Sequence, residues 1–96
     1  MGDKDAVPLL VAALDDEKDH VRYMAAKSLG ILGDREAEVP LISRISDDNE
    51  FVRKITVVSL GKIGGRLSVE ALMKRLPNEP LEEVKKIILE SVSLIG

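Results

Sequence analysis

The chain of 96 residues has no cysteine, no tryptophan and one histidine, and its aromatic residues are one tyrosine and one phenylalanine. Without cysteine there is no disulfide, thiolate metal site or cysteine nucleophile, and the single His20 excludes a metal site built on a histidine pair. Because aromatic residues make up only 2% of the chain, its core must be built from Leu, Ile, Val and Ala. Such a core favours closely packed helices.

Neither sign of charge dominates, because the chain has 14 basic and 17 acidic residues and a formal net charge of −3. With 45% hydrophobic residues, this balance argues against disorder and against a strongly basic nucleic-acid domain. The apolar runs are far shorter than the ~20 residues that span a bilayer, and no signal peptide is visible. We therefore expect a soluble cytoplasmic protein.

A repeat of about 31 residues runs through the chain. Leu29–Gly33 returns as Leu60–Gly64 and, more weakly, as Val92–Gly96. The pair Val21-Arg22 returns as Val52-Arg53 and as Val84-Lys85. A fixed period of this length is typical of a solenoid. We predict a single repeat domain over residues 1–96, with units at about 3–33, 34–64 and 65–96.

Each unit is predicted to contain two helices, near residues 4–14 and 18–32, 35–46 and 49–63, and 66–76 and 80–95. In the second helix of the first unit, apolar and small residues follow the helical period. This packed stripe contains Val21, Met24, Ala25, Ser28, Leu29 and Leu32. The recurrence of its serine at Ser59 and Ser91 indicates a structural role rather than a nucleophile.

Turn and cap residues fall at the ends of the predicted helices. The acidic turns before the second helices supply N-cap candidates, and Gly33, Gly64 and Gly96 are predicted to form left-handed C-terminal caps. Pro80 suits the first turn of the last helix. Pro8 and Pro40 must lie in a first turn or bend their helices, so these helices could also begin near Val7 and Val39.

These motifs resemble the HEAT-like repeat of the phycobilisome-lyase (PBS lyase) type. The first unit has Ala6–Leu10, the turn Asp15-Asp16, the pair Val21-Arg22, the small pair Ala25-Ala26 and the motif Leu29–Asp34 in that order. The resemblance implies an all-α, right-handed α-solenoid (alpha-alpha superhelix) of three helix hairpins. It also implies that the second helices line the concave side.

The resemblance further implies a ladder of turn aspartates and helix arginines, with Asp15 paired to Arg22 and Asp47 paired to Arg53. Some proteins with similar repeats are metal-dependent hydroxylases, but these rely on His-Glu pairs on successive helices. Here His20 stands alone and is interpreted as a solvated or capping residue. We therefore predict no catalytic residue, no metal, no cofactor and no enzymatic activity.

A surface ridge on the second helices is the candidate site. At about 100° per residue, Tyr23, Lys27 and Ile31 lie opposite the packed stripe. The repeat extends them to a predicted partner-binding set of Tyr23, Lys27, Ile31, Lys54, Val58, Lys62, Lys86, Glu90 and Leu94.

Two interpretations of this ridge stay open. Lysine is common on exposed helix positions for helix propensity and solubility alone. Alternatively, lysines interleaved with apolar residues suit an acidic or acidic-amphipathic protein segment. The acidic turns and the absence of arginine from the ridge count against nucleic acid.

The sequence therefore predicts a non-enzymatic protein–protein interaction scaffold that binds its partner through the concave second-helix face. The alternative is an accessory subunit of a bilin-lyase-like or other enzyme complex, in which the apolar floor would accept a chromophore. In the last unit, bulky Ile88 and Leu89 replace the small pair Ala25-Ala26. A homodimer through this terminal unit is therefore expected, and excision from a longer solenoid is the alternative.

We predict that the protein is thermostable. The chain has no glutamine, no cysteine and two asparagines, Asn49 and Asn78, in a charge-rich sequence, and thermophilic proteins are depleted in these thermolabile residues. A calorimetric scan should give an unfolding midpoint above about 55 °C, in or beyond the upper part of the ~45–65 °C mesophilic range. A lower midpoint would contradict the prediction.

Overall fold

The structure, a computed structural model, describes residues 5–96. Six α-helices follow in chain order: α1 (Ala6–Ala13), α2 (Asp19–Leu32), α3 (Glu38–Ile42), α4 (Glu50–Ile63), α5 (Arg66–Arg75) and α6 (Glu82–Ile95). Short 3-10 turns occupy Arg35–Ala37 and Leu76–Asn78. The described residues contain no β-strand, which confirms the all-helical prediction. The predicted start of the first helix at residue 4 lies outside the described residues.

The first helices differ most from the prediction. The single helix expected over residues 35–46 is instead a 3-10 turn, the short helix α3 and a series of turns. The Asp34 carboxylate accepts a hydrogen bond from the Glu36 amide and starts the 3-10 turn. Pro8 and Pro40 are each the third residue of their helix, where the missing amide costs no helical hydrogen bond. Both therefore lie in a first turn, as expected.

The prediction for Pro80 is wrong, because α6 begins at Glu82 after the extended residue Leu81. The Glu79 carboxylate accepts from the Leu81 amide at 3.1 Å and holds the chain in a turn there. Among the predicted glycine caps, Gly33 is left-handed, with φ 69° and ψ 18°. Gly64 has positive φ but ψ −170°, so it turns the chain without forming the predicted left-handed cap.

Side-chain capping follows the prediction at α4 but not at α2. The Asn49 side chain accepts from the amides of Phe51 and Val52. At α2 the N-cap residue is Lys18, whose side chain makes no capping bond. The acidic residue of that turn, Asp16, accepts from the Lys18 amide at 2.9 Å, so it closes the turn instead of capping the helix.

Helix α5 is capped from another part of the chain. The carboxylate of Glu38, in α3, accepts from the Ser68 amide at 2.9 Å and from the Ser68 hydroxyl at 2.7 Å. Gly65 precedes α5 with φ 113°, and a Cβ there would collide with the Glu38 carboxylate. A buried carboxylate thus satisfies one of the first amides of α5, that of Ser68, and stabilises the positive end of the helix dipole.

Aliphatic side chains from all six helices form the core, as the low aromatic content predicted. The largest fully buried apolar residues are Leu14, Leu29, Leu41, Leu60, Leu72 and Ile88. Ile63 is buried and its neighbour Lys62 is exposed, in agreement with the predicted helix phase. Met24, which was placed in the packed stripe, is 54% exposed; it lies at the edge of that stripe, where α2 meets solvent.

The second helices pack against one another through glycine–serine contacts. A Cβ on Gly30 of α2 would lie 2.9 Å from the Cα of Ser59 in α4, and a Cβ on Gly61 would lie 3.3 Å from the Cα of Ser91 in α6. The Ser59 hydroxyl donates to the Ala26 carbonyl at 2.7 Å. The structural role predicted for these serines is therefore the close approach of neighbouring helices.

We predict that Gly30→Ala destabilises the protein although alanine is the better helix former. Alanine gains about 1 kcal/mol in helix propensity, but its Cβ overlaps the backbone of α4, and overpacking costs about 1–3 kcal/mol. Denaturant unfolding should show a net loss of about 1 kcal/mol or more, with a smaller loss for Gly61→Ala. Ser93→Ala, at the equivalent exposed position of α6, is the control and should not lower stability; equal losses in all three variants would contradict the packing argument.

Candidate interaction site

The nine predicted ridge residues lie on α2, α4 and α6, and the structure exposes most of them. Lys27, Ile31, Lys62, Lys86, Glu90 and Leu94 are exposed, whereas Tyr23, Lys54 and Val58 are half-buried. Two of the exposed ridge residues are large and apolar, since Ile31 and Leu94 are 67% and 74% exposed. The helical period therefore separates this face from the core at most of the nine positions.

Lys54 differs from the other ridge lysines because it is held by other side chains. Its Nζ atom lies 2.6 Å from Glu83 Oε1 and 5.1 Å from the centre of the Phe51 ring. The hydrogen bond that Lys54 donates to Glu83, together with the charge of Glu83, raises the pKa of Lys54 although partial burial opposes the shift. Since Glu83 balances its charge, Lys54 contributes less to the positive face than the sequence suggested.

The remaining ridge lysines are available to a partner. Within residues 5–96, Lys27, Lys62 and Lys86 form no ion pair, and all three are exposed. They are accompanied by Glu90, also exposed. This part of the surface can therefore attract a negatively charged partner over short distances.

The buried arginines form a ladder, but not the predicted one. Arg22 directs its Nε atom to Asp47 Oδ2 at 2.9 Å, and Arg53 directs its Nε atom to Glu79 Oε1 at 3.1 Å. The predicted pairs Asp15–Arg22 and Asp47–Arg53 are wrong at the level of side chains, because each guanidinium reaches the carboxylate of the following turn. Each arginine also donates from Nη1 to a backbone carbonyl in the turn before its own helix. Arg22 donates to the Asp16 carbonyl at 2.8 Å, and Arg53 donates to the Asp47 carbonyl at 2.9 Å.

The ladder keeps its carboxylates ionised. Burial alone would raise the pKa of Asp47, but hydrogen bonds from Arg22 and from the Asn49 amide outweigh burial and lower it. For Glu79, burial likewise opposes the shift, and the Leu81 amide together with Arg53 lowers the pKa. The Arg22 pKa is raised, chiefly by its hydrogen bond to Asp47. These are structural ion pairs, because both arginines and both carboxylates are buried.

A groove between the N-terminal halves of α2 and α4 was not predicted from the sequence. It is open to solvent, has a volume of about 480 Å³, and is lined by Asp19, His20, Tyr23, Met24, Asn49 and Phe51. His20 is exposed, which agrees with its interpretation as a solvated residue. The groove forms only when α2 packs on α4. No sequence pattern indicated it, because the helical period placed Met24 in the packed stripe.

The described residues contain no group of three or more His, Asp or Glu side chains arranged to hold a metal ion. No helix in the same part of the chain is long and apolar enough to cross a membrane.

Comparison with known families finds a match to the HEAT repeats over residues 1–41. No curated protein matches the chain. The match, together with the all-helical structure, supports a HEAT-like repeat protein. HEAT repeats commonly mediate protein–protein interactions. The more specific phycobilisome-lyase type stays a prediction from the sequence motifs.

We predict that Glu79→Gln destabilises the protein by about 3 kcal/mol, because it leaves the buried Arg53 cation without its counter-charge.

The stability of the fold should also depend on pH, since the folded-state pKa values of Asp47 and Glu79 are lowered. The stabilisation of the fold by these two carboxylates is complete above the unfolded carboxyl pKa of about 4, and it is lost as the pH falls through their folded-state pKa values. The melting temperature of the unsubstituted protein should therefore fall below about pH 4, and that of Glu79→Gln should fall less steeply.

The control is Glu82→Gln, which removes an exposed carboxylate that pairs with Lys85 at 3.2 Å. An exposed pair contributes little, so this change should stay within about 0.5 kcal/mol. Equal losses for Glu79→Gln and Glu82→Gln would show that the ladder does not stabilise the fold.

Proposed function

We propose that the chain is a non-enzymatic protein–protein interaction scaffold that binds an acidic-amphipathic segment through the exposed face of α2, α4 and α6. In the right-handed solenoid of three hairpins inferred from the repeats, this face is the concave one. The observation that carries the proposal is the exposure of unpaired lysines beside large apolar residues on one face.

The chemistry of the face supports a protein partner. Ile31 and Leu94 offer apolar area, and Lys27, Lys62 and Lys86 offer positive charge between them. A segment with both apolar and acidic side chains can bury the apolar residues of this face and neutralise its lysines. Single-stranded nucleic acid prefers aromatic side chains for stacking and continuous positive charge. The nine residues of this face include one aromatic residue, Tyr23, and an acidic one, Glu90.

The proposal is tested with a short, fluorescein-labelled helical peptide that carries leucine on one face and glutamate beside it. The double variant Lys27→Glu/Lys62→Glu should bind at least about tenfold more weakly by fluorescence anisotropy, and its affinity should depend less on salt. Lys54 is not chosen for this test because Glu83 already holds it.

The matched control is Arg66→Glu/Lys74→Glu, which makes the same change in net charge on exposed positions of α5. If the second-helix face binds the peptide, this control should change the affinity by no more than about twofold, as long-range electrostatics alone would. Equal weakening by both double variants, or tighter binding of a labelled single-stranded oligonucleotide than of the peptide, would contradict the proposal.

The homodimer expected from the sequence would use α6, where Leu89 and Leu94 are both exposed. Sedimentation equilibrium at the concentrations of the binding experiment separates such a dimer from peptide binding. Two copies meeting through like faces would form a closed pair.

A further inference from the structure

All the ring-bearing side chains of the chain other than proline meet at one place on its surface. The sequence contains one His, one Tyr and one Phe, and His20, Tyr23 and Phe51 all line the groove between α2 and α4. His20 and Tyr23 come from α2, and Phe51 comes from α4. In a chain with 2% aromatic residues, this surface concentration has no role in the aliphatic core.

The groove exposes apolar area that the fold does not use. Met24 is 54% exposed and Phe51 is 56% exposed, and they face the same groove. Its volume of about 480 Å³ falls within the range of about 300–1,000 Å³ found for ligand pockets. Aromatic residues and methionine are also enriched where partner side chains are buried in protein interfaces. The groove is therefore suited to receive a bulky apolar side chain.

Two contacts hold part of the groove in place before any partner arrives. Asn49 donates from Nδ2 to Asp19 Oδ2 at 2.9 Å, and its Oδ1 atom caps α4. On α4, Lys54 lies over the Phe51 ring and is paired with Glu83. A groove with fixed walls loses less conformational entropy on binding than one with free side chains.

The charges around the groove indicate what the rest of the partner contains. The first residues of α2 and α4 are Asp19 and Glu50, which are acidic. One turn beyond Tyr23 on α2 lies the exposed Lys27, and Lys62 lies further along α4. The groove therefore lies between the acidic first residues of α2 and α4 and the lysines further along these two helices. A segment that runs from the groove along α2 and α4 toward their C-terminal ends would bring its acidic residues to Lys27 and Lys62.

We propose that the groove of His20, Tyr23, Met24 and Phe51 is the anchor site of this surface, binding one large apolar side chain of an acidic protein segment. This inference rests on the proposed function, because the segment is the same one that the lysines attract. The lysines then set the charge preference of the surface, and the groove selects segments that carry an apolar residue at one position.

The chain supplies its own reporters for the test. With no tryptophan and one tyrosine, its intrinsic fluorescence comes from Tyr23, and its histidine, tyrosine and phenylalanine ring signals in an NMR spectrum all come from the groove. The probes are two short helical peptides rich in glutamate, one with a single leucine and one with serine at the same position.

The leucine peptide should shift the ring signals of Tyr23, Phe51 and His20 and bind about tenfold or more tightly than the serine peptide, as burial of a leucine side chain would give. Phe51→Ser should remove most of this difference. Leu67→Ser, which changes an apolar residue of similar exposure on α5, outside this face, should leave the difference intact. Circular dichroism verifies that both variants keep their helices.

Each contrary result has a distinct meaning. Equal affinity for the two peptides, with the dependence on Lys27 and Lys62 retained, would overturn the anchor site and leave the proposed function standing. Binding of neither peptide at millimolar concentration would overturn the anchor site together with the proposed acidic partner. Ring signals that shift with protein concentration in the absence of peptide would show that a second copy occupies the groove, and would overturn the proposal.

Discussion

The close approach of α2, α4 and α6 is the constraint on which the rest of the molecule depends. It is possible because Gly30 and Gly61 lack a Cβ where Ser59 and Ser91 of the next second helix come into contact. Close packing excludes water between these helices and brings their outward residues into one continuous face. The spacing of the turns at the helix ends follows from the same contacts, since each turn is joined directly to a second helix.

The arginine ladder uses that spacing. Each buried guanidinium binds the carbonyls of the turn before its own helix and the carboxylate of the following turn, as Arg22 and Arg53 show. Compared with well-packed apolar residues such pairs add little net stability, because the desolvation of both ions offsets their attraction, but removing one partner alone destabilises the fold strongly. A shifted packing of the helices would leave a buried charge unpaired, so the ladder favours one arrangement of neighbouring turns over others.

The outer face of the second helices combines features that no single helix contains. Its lysines follow from the helical period and were predicted, because a period of 3.6 residues decides which positions face away from the core. The groove beside them was not predicted, because Tyr23 and Phe51 are distant in sequence and meet only when α2 packs on α4. The pairing of Lys54 with Glu83 was not predicted for the same reason, because Glu83 lies on another helix.

The sequence by itself determined the helical class, the aliphatic core, the repeat and the exposed face, since these follow from composition and from periodicity along the chain. Only the tertiary structure decided which carboxylate each arginine binds, that α3 is shorter than the helix predicted over residues 35–46, and how Glu38 caps α5. It also decided that the groove is shared by His20, Tyr23, Met24 and Phe51. The physical reason is range. Periodicity acts within one helix, whereas ion pairs, caps and grooves depend on distances between residues about 25 to 30 positions apart in the chain.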